Sequence, residues 1–224
     1  SVLDYGASPT QSLRSIGAEL GARYVLEGGV FRAGDRFRIN LQLVDAREDE
    51  HLWAKTFDKD VSVEALLSVQ EEVAREVASA VHAKIRPAEL AVIGTPSTLD
   101  LGAYELYLRG RQFYSRSYDS ADYVAAADLF QRAIEIDSTF ALAWSFLAST
   151  AARSYFLHHV HTEEQARLAS AAASRALELA PDLPQAHFAM AEYYYHVPID
   201  LGLALQEYLI ARRGAPNEDE IIAG

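Results

Sequence analysis

The chain has no cysteine in its 224 residues and a single methionine, Met190. Without thiols there can be no disulfide, no cysteine metal ligand and no thiolate nucleophile, and the redox compartment stays undecided. Position 1 is Ser, so the chain reads as a fragment or a processed product, and no signal peptide opens it. No apolar run is long enough for a membrane span. Lysine is nearly absent, at Lys55, Lys59 and Lys84 only, and this arginine bias fits a bacterial source of high GC content, the cytoplasm favoured over the periplasm. The net charge of −12 argues against nucleic acid as a partner of this region.

Catalytic motifs are missing too. No G-x-S-x-G elbow occurs, and Glu27-Gly28-Gly29 is not followed by the Lys-Ser/Thr of a phosphate loop, so these glycines read as a bulge or a close backbone approach. Acidic pairs such as Asp49/Glu50 and Glu71/Glu72 read as solvated turns and faces. His158, His159 and His161 lie close together with Glu163 and Glu164 nearby, but no partner segment supplies further ligands, and the cluster reads as a surface loop rather than a metal site. The expectation is that this chain has no catalytic residues, cofactor or metal and is not an enzyme.

What is present falls into two parts, and the fold class expected is α/β plus all-α. Residues 1–86 carry 14 acids and 11 bases; residues 87–224 carry 18 and 9, so the second part is the acidic one. In the first, Ser1–Asp4 reads as a strand end, and Leu13, Ile16 and Leu20 mark a helix with Pro9 before it and Gly21 at its exit. Strands are expected over Tyr24–Arg32 and Leu52–Phe57, with Ala33-Gly34-Asp35 as a hairpin turn. Between them Phe37, Ile39, Leu41 and Leu43 alternate with Arg36, Arg38, Asn40 and Gln42, which sets one face to the core and one to water. Leu66, Val69, Val73, Val77, Val81 and Ile85 stripe a helix over 63–85, which Pro87 stops. Ala88–Val92 adds at most a turn, and Gly94-Thr95-Pro96-Ser97 falls in a linker over 87–97.

From Leu101 onward one spacing recurs. Ala126, Phe130, Ala133 and Ser138 match Ala169, Ala173, Ala176 and Pro181, and again Ala204, Tyr208, Ala211 and Pro216. A second pattern accompanies it: Leu106, Arg109, Gly110, then Trp144, Leu147, Ala148, then His187, Met190, Ala191. Antiparallel helices approach closely only where facing residues are small, with bulky ones filling the gaps. This array resembles tetratricopeptide repeats, about three of them over 98–224, with Asp219–Gly224 opening a fourth repeat or a cap.

The first part resembles the TolB amino-terminal-like domain. The residues that carry this are Ile16–Val30, Asp35–Asp45, Glu50–Asp58 and Val69–Ala74. The resemblance implies a truncated α/β sheet over 1–86, lacking a first strand and helix of the family pattern, and a layout in which an effector precedes the two domains: a class III adenylate cyclase, a Ser/Thr kinase or a winged-helix domain. It carries over no active-site residue.

In tetratricopeptide repeats the first helix of each pair faces a concave groove. The repeat frame puts Tyr104, Tyr107, Arg111 and Tyr114 there, then Leu142, Ser145, Ser149 and Arg153, then Gln185, Phe188, Glu192 and Tyr195. Tyrosine and arginine are the residue types of binding hot spots, although packing between repeats would use the same rings. The candidate partner site is therefore Tyr104, Tyr107, Arg111, Tyr114, Ser149, Arg153, Phe188, Glu192 and Tyr195. The expected partners are a protein or peptide in that groove and a second copy of the chain through the amino-terminal sheet. The expected role is a sensory or interaction region of a larger bacterial signalling regulator, the alternative being a free-standing adaptor that holds an extended peptide.

Overall fold

A computed structural model describes residues 12–81 and 98–215. The chain divides into two compact units, within 1–96 and 97–224. The expectations for Ser1–Asp4, Pro9, Ile85, Pro87, Ala88–Val92, the 94–97 segment and Asp219–Gly224 lie outside the described residues.

In the first unit, α1 (Leu13–Leu20) begins where the Ser12 side chain accepts from the Ser15 N–H, and ends at Gly21, whose φ of 66° is the left-handed conformation glycine adopts without strain. Three antiparallel strands follow in sheet order, β1 (Tyr24–Ala33), β2 (Arg36–Asp45) and β3 (Glu50–Asp60). The β1–β2 register runs unbroken from Tyr24 opposite Asp45 to Ala33 opposite Arg36. The irregularity lies instead between Leu43 and Val44, in the pairing of β2 with β3. Gly28 marks a close approach rather than a bulge: a Cβ there would stand 2.0 Å from the Asn40 carbonyl oxygen.

Helix α2 (Val63–Ala80) is capped by Ser62, whose side chain accepts from the Ala65 N–H. It lays Leu66, Val69 and Val73 over the apolar face of the sheet, against Phe37, Ile39, Leu41, Trp53 and Phe57. On the opposite face Asp58 holds two guanidinium groups at once, those of Arg36 at 2.7 Å and Arg38 at 2.6 Å. Lys55 reaches from β3 to Glu72 and Glu76 of α2.

The second unit is all helix: α3 (Leu101–Arg116), α4 (Ser120–Ile136), α5 (Ala141–Phe156), α6 (Glu163–Leu179), α7 (Pro184–His196) and α8 (Leu201–Gly214). Asp100, Thr162 and Asp200 cap α3, α6 and α8 by accepting from backbone N–H groups of the first turn. The helices associate as α3 with α4, α5 with α6 and α7 with α8, and α5 joins α4 and α7. The recurring small residues lie where these pairs touch: Ala126, Ala133, Ala169, Ala173, Ala176 and Ala211 are all fully buried. The Trp144 ring N–H donates to the Ser138 carbonyl at 3.0 Å, and His187 Nε2 meets the Pro181 carbonyl at 2.8 Å, so equivalent positions tie successive pairs by equivalent bonds. The architecture, a small sheet with helices followed by a helical array, is the fold class expected from the sequence. Among the described residues no helix is long and apolar enough to cross a membrane.

Candidate functional site

The most unusual chemistry of the array is a charged cluster inside it. Glu192 stands in the middle of α7, and only 1% of its surface is exposed. An isolated carboxylate at such depth would be costly, so the groups around it are donors. Arg153, two helices back on α5, donates from Nε to Glu192 Oε1 at 2.6 Å. The Tyr114 hydroxyl, from α3, donates to Oε2 at 3.4 Å. The Ser149 hydroxyl, one turn before Arg153, donates as well. The Arg153 guanidinium also lies 4.9 Å above the Tyr114 ring, a cation–π contact in a partly desolvated place.

Helical spacing builds this arrangement. Ser149 and Arg153 are four apart, as are Glu192 and His196, so each pair shares a helix face, and the contact of α5 with α7 brings the two faces together. Burial pushes the Glu192 carboxyl above the usual carboxylate range, opposed by Arg153 and the hydroxyl donors. Burial also works against the charge on Arg153, but Glu192 and the nearby tyrosines outweigh it and hold the guanidinium firmly protonated. Burial draws His196 down to about 4, helped by repulsion from Arg153. Tyr208, on α8, is pushed up to about 12 by burial and by Glu192. The cluster is thus a closed ion pair with a neutral imidazole beside it, 3.9 Å from Glu192 Oε1.

The depressed imidazole gives a pH prediction with a definite sign. Unfolded, His196 binds a proton near pH 6.5; folded, it resists until about 4. Its contribution to stability is therefore complete above pH 6.5 and is lost as the pH falls toward 4. Arg153 and Glu192 face it from α5 and from its own helix and remain in a His196→Phe variant, so the difference between the two proteins isolates the imidazole. Between pH 7 and 5 the wild type should lose about 2 kcal/mol more than His196→Phe, as read by urea unfolding at each pH.

Of the nine expected groove residues, the structure brings four together: Tyr114, Ser149, Arg153 and Glu192. Arg111 is half-buried on α3, its guanidinium 4.7 Å over the Phe146 ring of α5. Tyr107 lies in the core, its ring 5.0 Å from Phe140 and 5.6 Å from Phe146, and Tyr104 rests against it at 6.1 Å. Phe188, one turn before Glu192 on α7, meets Tyr208 of α8 edge-on at 5.5 Å. Tyr195 is 45% exposed, its ring edge-on to His196. Sequence reasoning missed His196 and Tyr208. His196 was within reach, being one turn beyond Glu192; Tyr208 comes from the second helix of its pair and carries no groove spacing.

No family model matches the chain. A protein of Rhizobium meliloti (strain 1021) named "Putative adenylate cyclase 3" is 33% identical to it over 184 residues, which cover 81% of this chain and 31% of that protein. The chain therefore spans about a third of the length of the curated relative it matches. This finding corrects one expectation. The absence of catalytic motifs led to the reading that the protein is not an enzyme, and its relative carries an enzyme's name. A motif search over a region that matches a third of a protein has no purchase on the chemistry of the whole.

Proposed function

We propose that this chain is a sensory and partner-binding region of a signalling protein of the adenylate cyclase kind. Its helical array would take an extended peptide along the line of α3, α5 and α7. The observation that carries this reading is that two of the expected groove positions, half-buried Arg111 of α3 and Tyr195 of α7 at 45% exposure, bring side chains of hot-spot type to the surface on first helices of the array. The match to the named cyclase supports the signalling context. The recurring alanines and the repeated ties to Ser138 and Pro181 support a reading of the array as tetratricopeptide repeats. The sheet with its covering helix supports a TolB amino-terminal-like reading of the first unit.

Two measurements test the proposal. The whole protein should form cyclic AMP from ATP; no product under any tested condition would remove the signalling assignment. The labelled 224-residue chain, applied to an array of extended peptides, should select a subset. Arg111→Ala and Tyr195→Ala should each weaken the best of these by about 1–2 kcal/mol, because both side chains reach the surface and are of hot-spot type. A peptide that binds both variants as it binds the wild type would place recognition elsewhere.

A further inference from the structure

The outer surface of α8 is apolar in a way that the other second helices of the array are not, and the peptide-binding reading makes no use of it. Leu201, Leu205 and Leu209 follow one another at intervals of four and are 60%, 59% and 46% exposed. Residues spaced by four form one ridge on a helix surface. Just before the helix stands Ile199, 67% exposed and at a φ of 57°. A β-branched residue in the left-handed region is strained, and no burial of its side chain offsets that strain here. The turn thus keeps an apolar side chain in water at a position that suits glycine or asparagine.

This surface is not a further copy of the face by which the pairs stack. The second helices α4, α6 and α8 share a frame in which Ala126, Ala169 and Ala204 correspond. The leucine row starts from that face, since Leu201 stands at the position of buried Tyr123. It then departs. Leu205 and Leu209 stand where α4 has Ala127 and Gln131 and α6 has Ser170 and Ser174, and Gln131 and Ser174 are exposed. Conversely, Ile134 of α4 and Leu177 of α6 pack against the core, and α8 has Arg212 in their place. Toward its end the apolar row of α8 therefore lies on a side that its counterparts leave polar. Single exposed leucines need no explanation; three on one ridge, off the stacking frame, mark a contact surface.

Charge selects the occupant. Exposed Asp200 stands at the start of α8, and exposed Arg212 and Arg213 at its end. Glu207 is turned aside, its Oε2 2.6 Å from His187 Nδ1. A face with an acid at one end and bases at the other complements itself in one orientation only. Two antiparallel α8 helices, related by a twofold axis at Leu205, place Leu201 of one copy against Leu209 of the other. They also bring each Asp200 toward the arginines of the second copy and set the helix dipoles in opposition. A parallel pair would lay arginine on arginine.

We propose that α8 is a self-association surface, through which two copies of this chain pair about a twofold axis by Leu201, Leu205 and Leu209. Ridges of residues four apart interlock at the commonest helix crossing, so the row fits its own copy without rearrangement. One helix from each copy makes a small interface, and the net charge of −12 on each chain opposes association. The dissociation constant is therefore expected at about 10–100 μM.

Sedimentation equilibrium of the 224-residue chain, from about 5 to 300 μM, should show monomer and dimer in a concentration-dependent balance. Replacing Leu205→Ser and Leu209→Ser together, which installs the residues of α6 at these positions, should weaken the dimer about tenfold or more. Both side chains are exposed, so the variant should keep the wild-type helix content. Cross-linking gives a second reading, because the chain has no cysteine of its own. Under mild oxidation Leu205→Cys should bridge to its own copy, and Leu201→Cys mixed with Leu209→Cys should bridge to each other faster than either does to itself. Val124→Cys, comparably exposed on α4, serves as the control. A chain that stays monomeric throughout, a dimer indifferent to the two serines, or bridging at Leu205 no faster than at Val124 would each overturn the proposal.

Discussion

Arg153→Ala should cost about 3–5 kcal/mol of folding stability, one of the two largest effects expected of any single change in this chain. The loss is not mainly that of an attraction. Removing the guanidinium leaves the Glu192 carboxylate at 1% exposure facing the Tyr114 and Ser149 hydroxyls and a neutral imidazole, His196. The same logic makes the double replacement Arg153→Met with Glu192→Leu far milder, because the pair carries its own desolvation cost and well-packed apolar groups do without it. The coupling between the two sites, measured by urea denaturation of both singles and the double, should exceed about 2 kcal/mol.

The pH dependence of the Arg153→Ala variant gives an independent check. Burial already raises the Glu192 carboxyl, and Arg153 opposes that rise. Without Arg153 the native state should hold the Glu192 proton to a still higher pH than the unfolded chain does. A raised carboxyl favours the folded state at low pH and loses that advantage as the pH climbs through its native value. The variant should therefore be closer to wild type at pH 5 than at pH 7. A variant equally destabilised at both would mean that water reaches Glu192 once the arginine is gone.

Legibility in the sequence differed between patterned and unpatterned elements. The strand Arg36–Asp45 could be read from its alternation alone, since Phe37, Leu43 and their neighbours repeat every second residue and one face must be dry. The array could be read from Ala126, Ala133, Ala169 and Ala176, because close helix contact selects small residues at fixed intervals. Gly21 announced the end of α1 for a local steric reason. The charged cluster was legible only in part. Its members occupy the spacing expected of a groove, but that spacing says nothing of depth. Glu192 is buried by the approach of α5, and its partner Arg153 is 39 residues away, a distance no local period reports.

Phe130→Ala should cost about 3–5 kcal/mol, at the upper end for a core truncation. The ring is fully buried and sits at the meeting of three helices, 6.1 Å from Tyr107 of α3 and 5.7 Å from Phe146 of α5. Rings on both sides are held by further aromatic contacts, so the cavity cannot collapse cheaply. The approach that admits the ring depends on Gly110: a Cβ there would stand 2.6 Å from Phe130 Cε1, well inside contact distance. Gly110→Ala alone should thus destabilise by about 1–3 kcal/mol through overpacking. Combined, the two changes relieve one another, since the methyl occupies space that the lost ring leaves open. The double variant should be more stable than the sum of the singles implies, by about 1 kcal/mol or more. Thermal unfolding of the four proteins reads this directly. Simple additivity would show that Gly110 and Phe130 do not share a contact, and would remove the pairing of α3 with α4 on which the frame of the first repeat rests.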